Sequence, residues 1–348
     1  MTLITSILEE TKKKGADALL VTNPANIRYL SGFTAPEDGV VLILPNRAVL
    51  ITDGRYIAQA AEESSLEVKI TRPWLEWVTQ ALGKKRLAIE SEHMAIATFD
   101  ELRNHLDEEP VRVSNLIERR RLNKNDAELE LLTQAAEITD AAFTHILGFL
   151  EPGRREVEIA LEIESFMRLA GASLSFEIIV ASGPRTAMPH GLASQRVMKP
   201  GDLVTLDFGA KISGYHADMT RTVSLGKASS SHRSIYEEVL QTQLTSLEAI
   251  SPGVSCSHLD HLARDRFSQA GLVDKFSHSL GHGVGLEIHE APFLAQSSSE
   301  ILESGMVVTV EPGVYFPGDV GVRIEDLVVV TNSGPEILSK SEKHLLEL

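Results

Sequence analysis

Two stretches of this chain copy each other in residues and surroundings, and that duplication limits the possible fold more than composition does. Val204-Thr205-Leu206-Asp207-Phe208-Gly209 has a near copy in Val308-Thr309-Val310-Glu311-Pro312-Gly313, and Gly201 and Gly305 precede them at matching places. Upstream, Pro152-Gly153 opens a helical stretch that ends at Ala170-Gly171. Pro252-Gly253 opens another that ends at Ala270-Gly271. Each half therefore reads helix, helix, hairpin. Sequence self-similarity marks repeated structural units that bury their apolar faces on one another. Two such halves should pack about a pseudo-twofold axis, with the hairpins meeting at the centre.

Each hairpin returns to a second acid, Asp218 in the first and Glu325 in the second. Placing Asp207 opposite Asp218 centres the first turn between Ile212 and Ser213, and cross-strand Cβ atoms would then lie roughly 5 Å apart. Glu311 opposite Glu325 centres the second turn on Gly318, with Pro312 interrupting the ladder. Four converging carboxylates repel one another unless cations sit among them. His282, in Ser-Leu-Gly-His-Gly-Val-Gly, supplies a nitrogen ligand, and its flanking glycines allow close backbone approach. The same segment lacks the spacing and the lysine of a phosphate-binding loop. Carboxylates with one imidazole suit Mn²⁺, Co²⁺, Zn²⁺ or Fe²⁺, and four negative ligands balance two divalent ions. Such a pair lowers the pKa of a shared water and clamps a substrate oxygen, which serves carbonyl hydrolysis.

The 348 residues exceed one ordinary core and imply two domains. Up to about residue 120, β-rich runs (residues 17–22, 39–45, 48–53, 67–71 and 86–91) alternate with helical patterns (2–14, 55–62, 74–82 and 95–106). That order predicts an α/β domain with a mixed sheet. The boundary falls in Glu-Arg-Arg-Arg-Leu-Asn-Lys-Asn-Asp, residues 118 to 126, whose arginines are expected at a solvated helix end or in salt bridges at a domain interface. Asn125 and Glu128 form a capping-box pattern before a helix with Leu132, Ala135, Ala136, Thr139, Phe143 and Ile146 on one face. The net charge of −16 argues against nucleic acid as a partner. The single Cys256 suits a reducing compartment and reads as an apolar filler. No apolar run reaches the length of about 18 residues that suggests a membrane span, and no signal-peptide pattern opens the chain. A cytoplasmic protein is expected.

Several motifs carry a family resemblance. Val180-Ala-Ser-Gly-Pro-Arg-Thr-Ala-Met-Pro-His-Gly191, residues 204 to 222, Gly281-His-Gly-Val-Gly-Leu-Glu-Ile-His-Glu-Ala-Pro292, and the segments around Glu311 and Glu325 resemble the M24 metallopeptidases. These have the creatinase/methionine-aminopeptidase "pita-bread" fold. Asn23-Pro-Ala-Asn-Ile-Arg-Tyr-Leu-Ser-Gly-Phe33 and Thr52-Asp-Gly-Arg-Tyr56 resemble the N-terminal domain of the Xaa-Pro branch. The resemblance implies an α+β chain: a smaller α/β creatinase-type domain over residues 1–122, then a pita-bread dinuclear metallopeptidase domain over 123–348. It implies Asp207, Asp218, His282, Glu311 and Glu325 as metal ligands, with Asp218 and Glu325 bridging two ions. It also implies that Glu311 handles the proton of the bridging water, and that His190 and His289 contact substrate. Arg323 shares a strand face with Glu325, and Thr220 with Asp218, as supporting residues would. His216 shares that face too, and a partly solvated strand histidine is expected there.

Among family members, creatinase lacks the metals, and methionine aminopeptidases generally lack the extra N-terminal domain. Pita-bread proteins that only bind usually have eroded ligand sets, whereas this set is whole. An Xaa-Pro peptidase acting on proline-containing peptides is therefore expected, with two Mn²⁺, Co²⁺ or Zn²⁺ ions per subunit and a homodimeric assembly. Prolidases commonly carry an arginine shortly after the His-Glu motif to hold a dipeptide's carboxylate; this chain has Phe293 there. An apolar side chain cannot pair a carboxylate, so the sequence leans toward aminopeptidase P-like action on longer peptides. The alternative is a prolidase in which Arg47 or Arg55 of the N-terminal domain supplies the carboxylate contact.

Overall fold

The computed structural model describes residues 3–348, and the chain divides into two compact units, Met1–Arg121 and Leu122–Leu348. In the first, strands β1 (Ala18–Val21), β2 (Gly39–Leu44), β3 (Arg47–Thr52), β4 (Glu67–Ile70), β5 (Leu87–Glu90) and β6 (Val111–Val113) form one sheet ordered β4-β3-β2-β1-β5-β6. Only β2 runs against its neighbours. The helices are α1 (Leu3–Lys13), α2 (Pro24–Ser31), α3 (Ile57–Glu63), α4 (Trp74–Leu82), α5 (Ile96–Asn104) and α6 (Glu118–Arg121). Successive strand residues enter opposite apolar layers. Leu19, Val21 and Ile43 pack with Ile7 and Ile27 of α1 and α2, whereas Leu20, Leu42 and Ile51 pack with Val78 and Leu102 of α4 and α5. Burial of both faces is why these strands read as unbroken apolar runs.

Two features of this unit differ from expectation. Helix α2 carries its own signals, an Asn23 cap, Pro24 at the start and a left-handed Gly32 at the end, but it is only two turns long. The arginine run does not end in solvent. Arg121 is buried with Nη1 2.8 Å from Asn26 Oδ1, and Arg120 pairs with Glu10 at 3.0 Å.

In the second unit the first half comprises α7 (Asp126–Ile146), α8 (Glu156–Leu169), β7 (Ser173–Leu174), β8 (Ile179–Ser182), β9 (Leu203–Phe208), β10 (Ala210–Ile212), β11 (Tyr215–His216) and β12 (Met219–Ser224). The other half comprises α9 (Ser230–Glu248), α10 (Cys256–Gln269), β13 (Gly281–Gly283), β14 (Glu290–Leu294), β15 (Val307–Val310), β16 (Gly313–Phe316), β17 (Val320–Arg323), β18 (Asp326–Thr331) and β19 (Gly334–Ile337). Helix α7 begins with the full reciprocal cap of Asn125 and Glu128, and its expected apolar face is buried. Each half has an apolar core of its own. Cys256 fills part of one of them, and burial pushes its thiol up to about 11.

The duplication extends to individual hydrogen bonds. Gly153 N–H donates to Met198 O at 2.9 Å, and Gly253 N–H to Leu302 O at 2.8 Å; Met198 N–H returns to Arg154 O, and Leu302 N–H to Val254 O, both at 2.8 Å. Gly153 and Gly253, like Gly171 and Gly271, have φ between 71° and 99°. That region strongly favours glycine, so the repeated glycines mark repeated backbone turns.

The hairpin registers bring one correction. In the first, Thr220 lies opposite Asp207 and Arg221 opposite Leu206, and the same register carries Lys211 to His216. The turn is thus Ser213-Gly214, with φ of 47° and 86°, one residue beyond the expected centre. Asp207 and Asp218 are diagonal neighbours on one face rather than a direct pair. The second hairpin turns about Gly318 as expected, with Gly313 opposite Arg323 and Val310 opposite Asp326, which brings Glu311 opposite Glu325. Matching the hairpins through their first strands therefore makes Thr220 the counterpart of Glu325, Arg221 of Asp326, and Asp218 of Arg323. The second acids of the two hairpins are not equivalent positions.

Candidate metal centre and active site

The carboxylates sit where the hairpins pass from one sheet to the next. Asp207 is the next-to-last residue of β9, Asp218 lies in the break between β11 and β12, and Glu311 and Glu325 occupy the breaks after β15 and before β18. His282 is the middle residue of β13. A Cβ on Gly281 would fall 2.0 Å from Thr309 O, and one on Gly283 2.3 Å from Ala291 O. Only glycines let β13 come this close to β14 and β15. His282 Nδ1 lies 3.0 Å from Gly283 O; a carbonyl only accepts, so Nδ1 carries the proton and Nε2 is the free donor atom. Burial pushes this imidazole's pKa down to about 4, which keeps it neutral, as a metal ligand must be.

Nε2 of His282 lies 3.7 Å from Asp218 Oδ2 and 3.5 Å from Glu311 Oε1, and ligand atoms of Asp218, His282 and Glu325 lie within 4.8 Å of one another. Metal–ligand bonds of about 2.1 Å at near-tetrahedral angles place donor atoms roughly 3.4 Å apart. Asp207 Oδ1 is buried without a hydrogen-bond partner. Burial first, then repulsion among the four carboxylates, raises Asp218 and Glu325 far above the usual carboxylate range, and burial raises Glu311 to about 7. An orphaned carboxylate oxygen and acids starved of positive charge fit a divalent-cation site.

Other residues hold these donors. Arg323 Nη2 donates to Asp207 Oδ2 at 2.5 Å, Nε to Thr220 Oγ1 at 3.0 Å, and Nη1 to Tyr315 Oη at 2.8 Å and Pro189 O at 3.1 Å. Thr220 Oγ1 donates to Glu325 Oε2 at 2.7 Å. Thr309 Oγ1 accepts from His282 N–H at 3.1 Å and lies 3.2 Å from Glu311 Oε1. Thr309, Tyr315 and the half-buried His278, 3.0 Å from the Tyr315 hydroxyl, were not anticipated. Thr309 had a readable signal, two positions before Glu311 on the same strand face. His278 and Tyr315 are distant in sequence and had none.

Small-molecule pockets typically measure about 300–1,000 Å³; here the cavity measures ≈ 430 Å³ and is lined by Asp207, Asp218, His282, Glu311, Glu325 and Arg323 among others. His190 and His289 also line it, both exposed. The His289 ring stands edge-on to His282 with centroids 4.3 Å apart. Phe176, Ile179, Leu192, Ile288 and Phe293 supply the apolar lining of the cavity. Phe293 is 45 % exposed and pairs with His282 across β13 and β14. His216 is buried rather than partly solvated, does not line this cavity, and has its pKa pushed down to about 4 by burial. Arg47 and Arg55 belong to the N-terminal unit. There Arg47 pairs with Glu67 at 3.2 Å, and Arg55 binds Asp38 and, at 2.9 Å, Asp53.

Comparison with known proteins agrees with this geometry. Residues 130–332 match the model of metallopeptidase family M24, and residues 4–122 match that of the creatinase/prolidase N-terminal domain. The chain is similar to a solved Xaa-Pro dipeptidase from Bacillus anthracis, with 44% identity, 99% of each chain covered and a TM-score of 0.96. It is 36% identical to the Xaa-Pro dipeptidase of Pyrococcus horikoshii over 99% of this chain and 98% of that one. A solved X-Pro aminopeptidase from Thermotoga maritima is 35% identical, covering 98% of this chain and 100% of that chain, with a TM-score of 0.90. Among the described residues no helix is long and apolar enough to cross a membrane.

Proposed function

The chain belongs to metallopeptidase family M24, and we propose that it is an Xaa-Pro dipeptidase that hydrolyses the imide bond before a C-terminal proline. One observation carries this reading: five metal-type donors and a set of apolar side chains line the same small cavity. The donors suit carbonyl hydrolysis, and the apolar lining suits a pyrrolidine ring. The dipeptidase reading replaces the lean toward longer peptides, because the B. anthracis and P. horikoshii proteins, similar over nearly the whole chain, are both Xaa-Pro dipeptidases.

Asp207, Asp218, His282, Glu311 and Glu325 would hold two divalent ions. When bound, such ions acidify water and act as Lewis acids toward a carbonyl oxygen. The chain's own residues do the rest. Glu311, steadied by Thr309, takes and returns a proton at Oε1. His190 and His289 face the cavity from its exposed rim, where they orient the scissile carbonyl and stabilise the charge that develops on its oxygen. Arg323 fixes one oxygen of Asp207 and leaves the other turned to the cavity. Phe293 and Leu192 shield the proline side from water.

A second reading, aminopeptidase P-like cleavage, is favoured by Phe293 and by the similarity to the T. maritima aminopeptidase. Rates on leucyl-proline and leucyl-prolyl-glycine with Mn²⁺, Co²⁺ or Zn²⁺ decide between them. Preferred cleavage of the dipeptide supports the proposal. Preferred cleavage of the tripeptide establishes the second reading, and no cleavage of either leaves a binding protein.

A further inference from the structure

Directly behind the rim of the cavity lies an ion pair that the proposed chemistry does not use. Lys124 Nζ is 2.8 Å from Glu290 Oε1, and the two side chains are only 1% and 8% exposed. A cradle is built around this carboxylate. A Cβ on Gly285 would lie 2.3 Å from Oε1, and Glu287 N–H approaches Oε2 at 3.4 Å. Withdrawing two charges from water costs more than a well-packed apolar pair would, so a buried pair is a poor device for stability. What it does provide is a fixed position.

That position concerns His289, the residue before Glu290. His289 closes the bend that leads into β14 and is joined to Glu290 by one peptide bond, so a Glu290 held inward restricts where the His289 backbone can sit beside the cavity. Glu290 also pairs with Gly283 at the point where the β13–β14 register shifts, immediately after His282. The His282 and His289 rings, 4.3 Å apart, flank this irregularity, and the Lys124 contact ties down the Glu290 carboxylate next to it. Lys124 is tied in turn. Its N–H donates to Gly305 O at 2.8 Å, just before β15, the strand that leads to Glu311. One lysine thus links the start of α7, the approach to Glu311 and the strand beside His289.

We propose that Lys124 and Glu290 are positioning residues for His289, setting its imidazole against the donor cluster. This rests on the reading of His289 as a substrate-contacting group. Misplacement of a reacting group by about an ångström costs up to a hundredfold in rate. The effect should fall on kcat for leucyl-proline more than on KM, because His289 acts on charge that develops during reaction.

The test is a double-mutant cycle in the Mn²⁺-loaded full chain, with metal content and Tm measured on every variant. Glu290→Gln keeps a hydrogen-bond acceptor for Lys124 and should lower kcat about threefold to tenfold, yet have little further effect in a His289→Ala background. K124M/E290L should regain the Tm that Lys124→Met loses, while kcat stays at least about tenfold down. Recovery of wild-type kcat together with Tm would show a purely structural pair and overturn the proposal. So would equal losses from Glu290→Gln in both backgrounds. If K124M/E290L does not fold, the Glu290→Gln cycle alone decides. A His289→Ala variant with normal kcat on leucyl-proline would instead remove the premise about His289 and overturn the proposal by that route.

Discussion

Thr220 Oγ1 donates a 2.7 Å hydrogen bond to Glu325 Oε2, and these two residues are register counterparts in the duplicated hairpins. Their neighbours, Arg221 and Asp326, are also counterparts and form a buried 2.7 Å ion pair. The strands β12 and β18 therefore meet at the pseudo-twofold axis, where equivalent positions have taken complementary side chains. A strict copy would set threonine against threonine or acid against acid. Divergence at the axis turned repulsive or idle contacts into supporting ones.

Replacing Thr220 by valine should expose this relationship. The variant loses the donor to Glu325 and the acceptor of Arg323 Nε, so metal affinity should fall about tenfold to a hundredfold. Titration of metal-free protein with Mn²⁺ reads this directly, and an unchanged affinity would refute the supporting role.

Chelation should abolish peptide hydrolysis, and added Mn²⁺, Co²⁺ or Zn²⁺ should restore it. A ligand that binds only the folded state at a hundred times its Kd adds about 2.7 kcal/mol of stability. The metal-free protein should therefore also melt at a lower temperature. Full activity in protein shown by elemental analysis to hold no metal would refute the metallopeptidase assignment.

Glu311→Gln should cost at least about a hundredfold to ten-thousandfold in kcat, and its stability has a defined sign. In metal-free protein, burial raises Glu311 to about 7, with Arg323 pulling it down and Asp207 pushing it up. The folded state then holds a proton that the unfolded chain releases near pH 4.5, so stability falls as pH rises through 7. Glutamine escapes that penalty. Metal-free Glu311→Gln should match wild type in urea at pH 4 and exceed it at pH 8 by about 3 kcal/mol. Equal midpoints at both pH values would contradict the buried, uncompensated carboxylate.

Phe293→Arg tests the substrate's free carboxylate. A charge-assisted contact contributes about 1.5–3 kcal/mol, so the kcat/KM ratio of leucyl-proline to leucyl-prolyl-glycine should rise about tenfold to a hundredfold. Arg47→Ala, which removes an exposed pair with Glu67 and a guanidinium 5.9 Å from the Trp77 ring centroid, is the comparison. A selective collapse of dipeptide cleavage there would assign the carboxylate contact to Arg47.

Much of this was legible in the sequence because it is local. The unbroken apolar runs around Leu19, Val41 and Leu50 read as strands, and the Asn125–Glu128 cap marked a helix start. The repeated glycines exposed the duplication. The first hairpin was misplaced by one residue because the acids were assumed to face each other. Turn chemistry held the better answer: both turn residues need φ > 0, which Ser213-Gly214 adopt and a β-branched Ile212 resists. The second hairpin, with Gly318 at its centre, carried no such conflict. Links such as Lys124 to Glu290 or His278 to Tyr315 join residues far apart in the chain, and no period or motif encodes them. The burial of His216 is likewise tertiary, since its strand pattern is the same whether a helix covers it or water does.

The split of donors between the two halves has a consequence for how the second unit comes apart. Asp207 and Asp218 come from one half, and His282, Glu311 and Glu325 from the other, while each half has an apolar core of its own. A third apolar cluster, with Leu132 and Ala217 from one half and Val307 and Leu327 from the other, joins them. Most buried apolar side chains nevertheless belong to one half alone, which leaves stepwise melting open. With ions held jointly, a species with either half disordered forfeits both ions and their binding free energy. The loaded protein should therefore lose residues 122–348 in a single cooperative transition, and the same chain stripped of metal is the form in which an intermediate with one ordered half would accumulate.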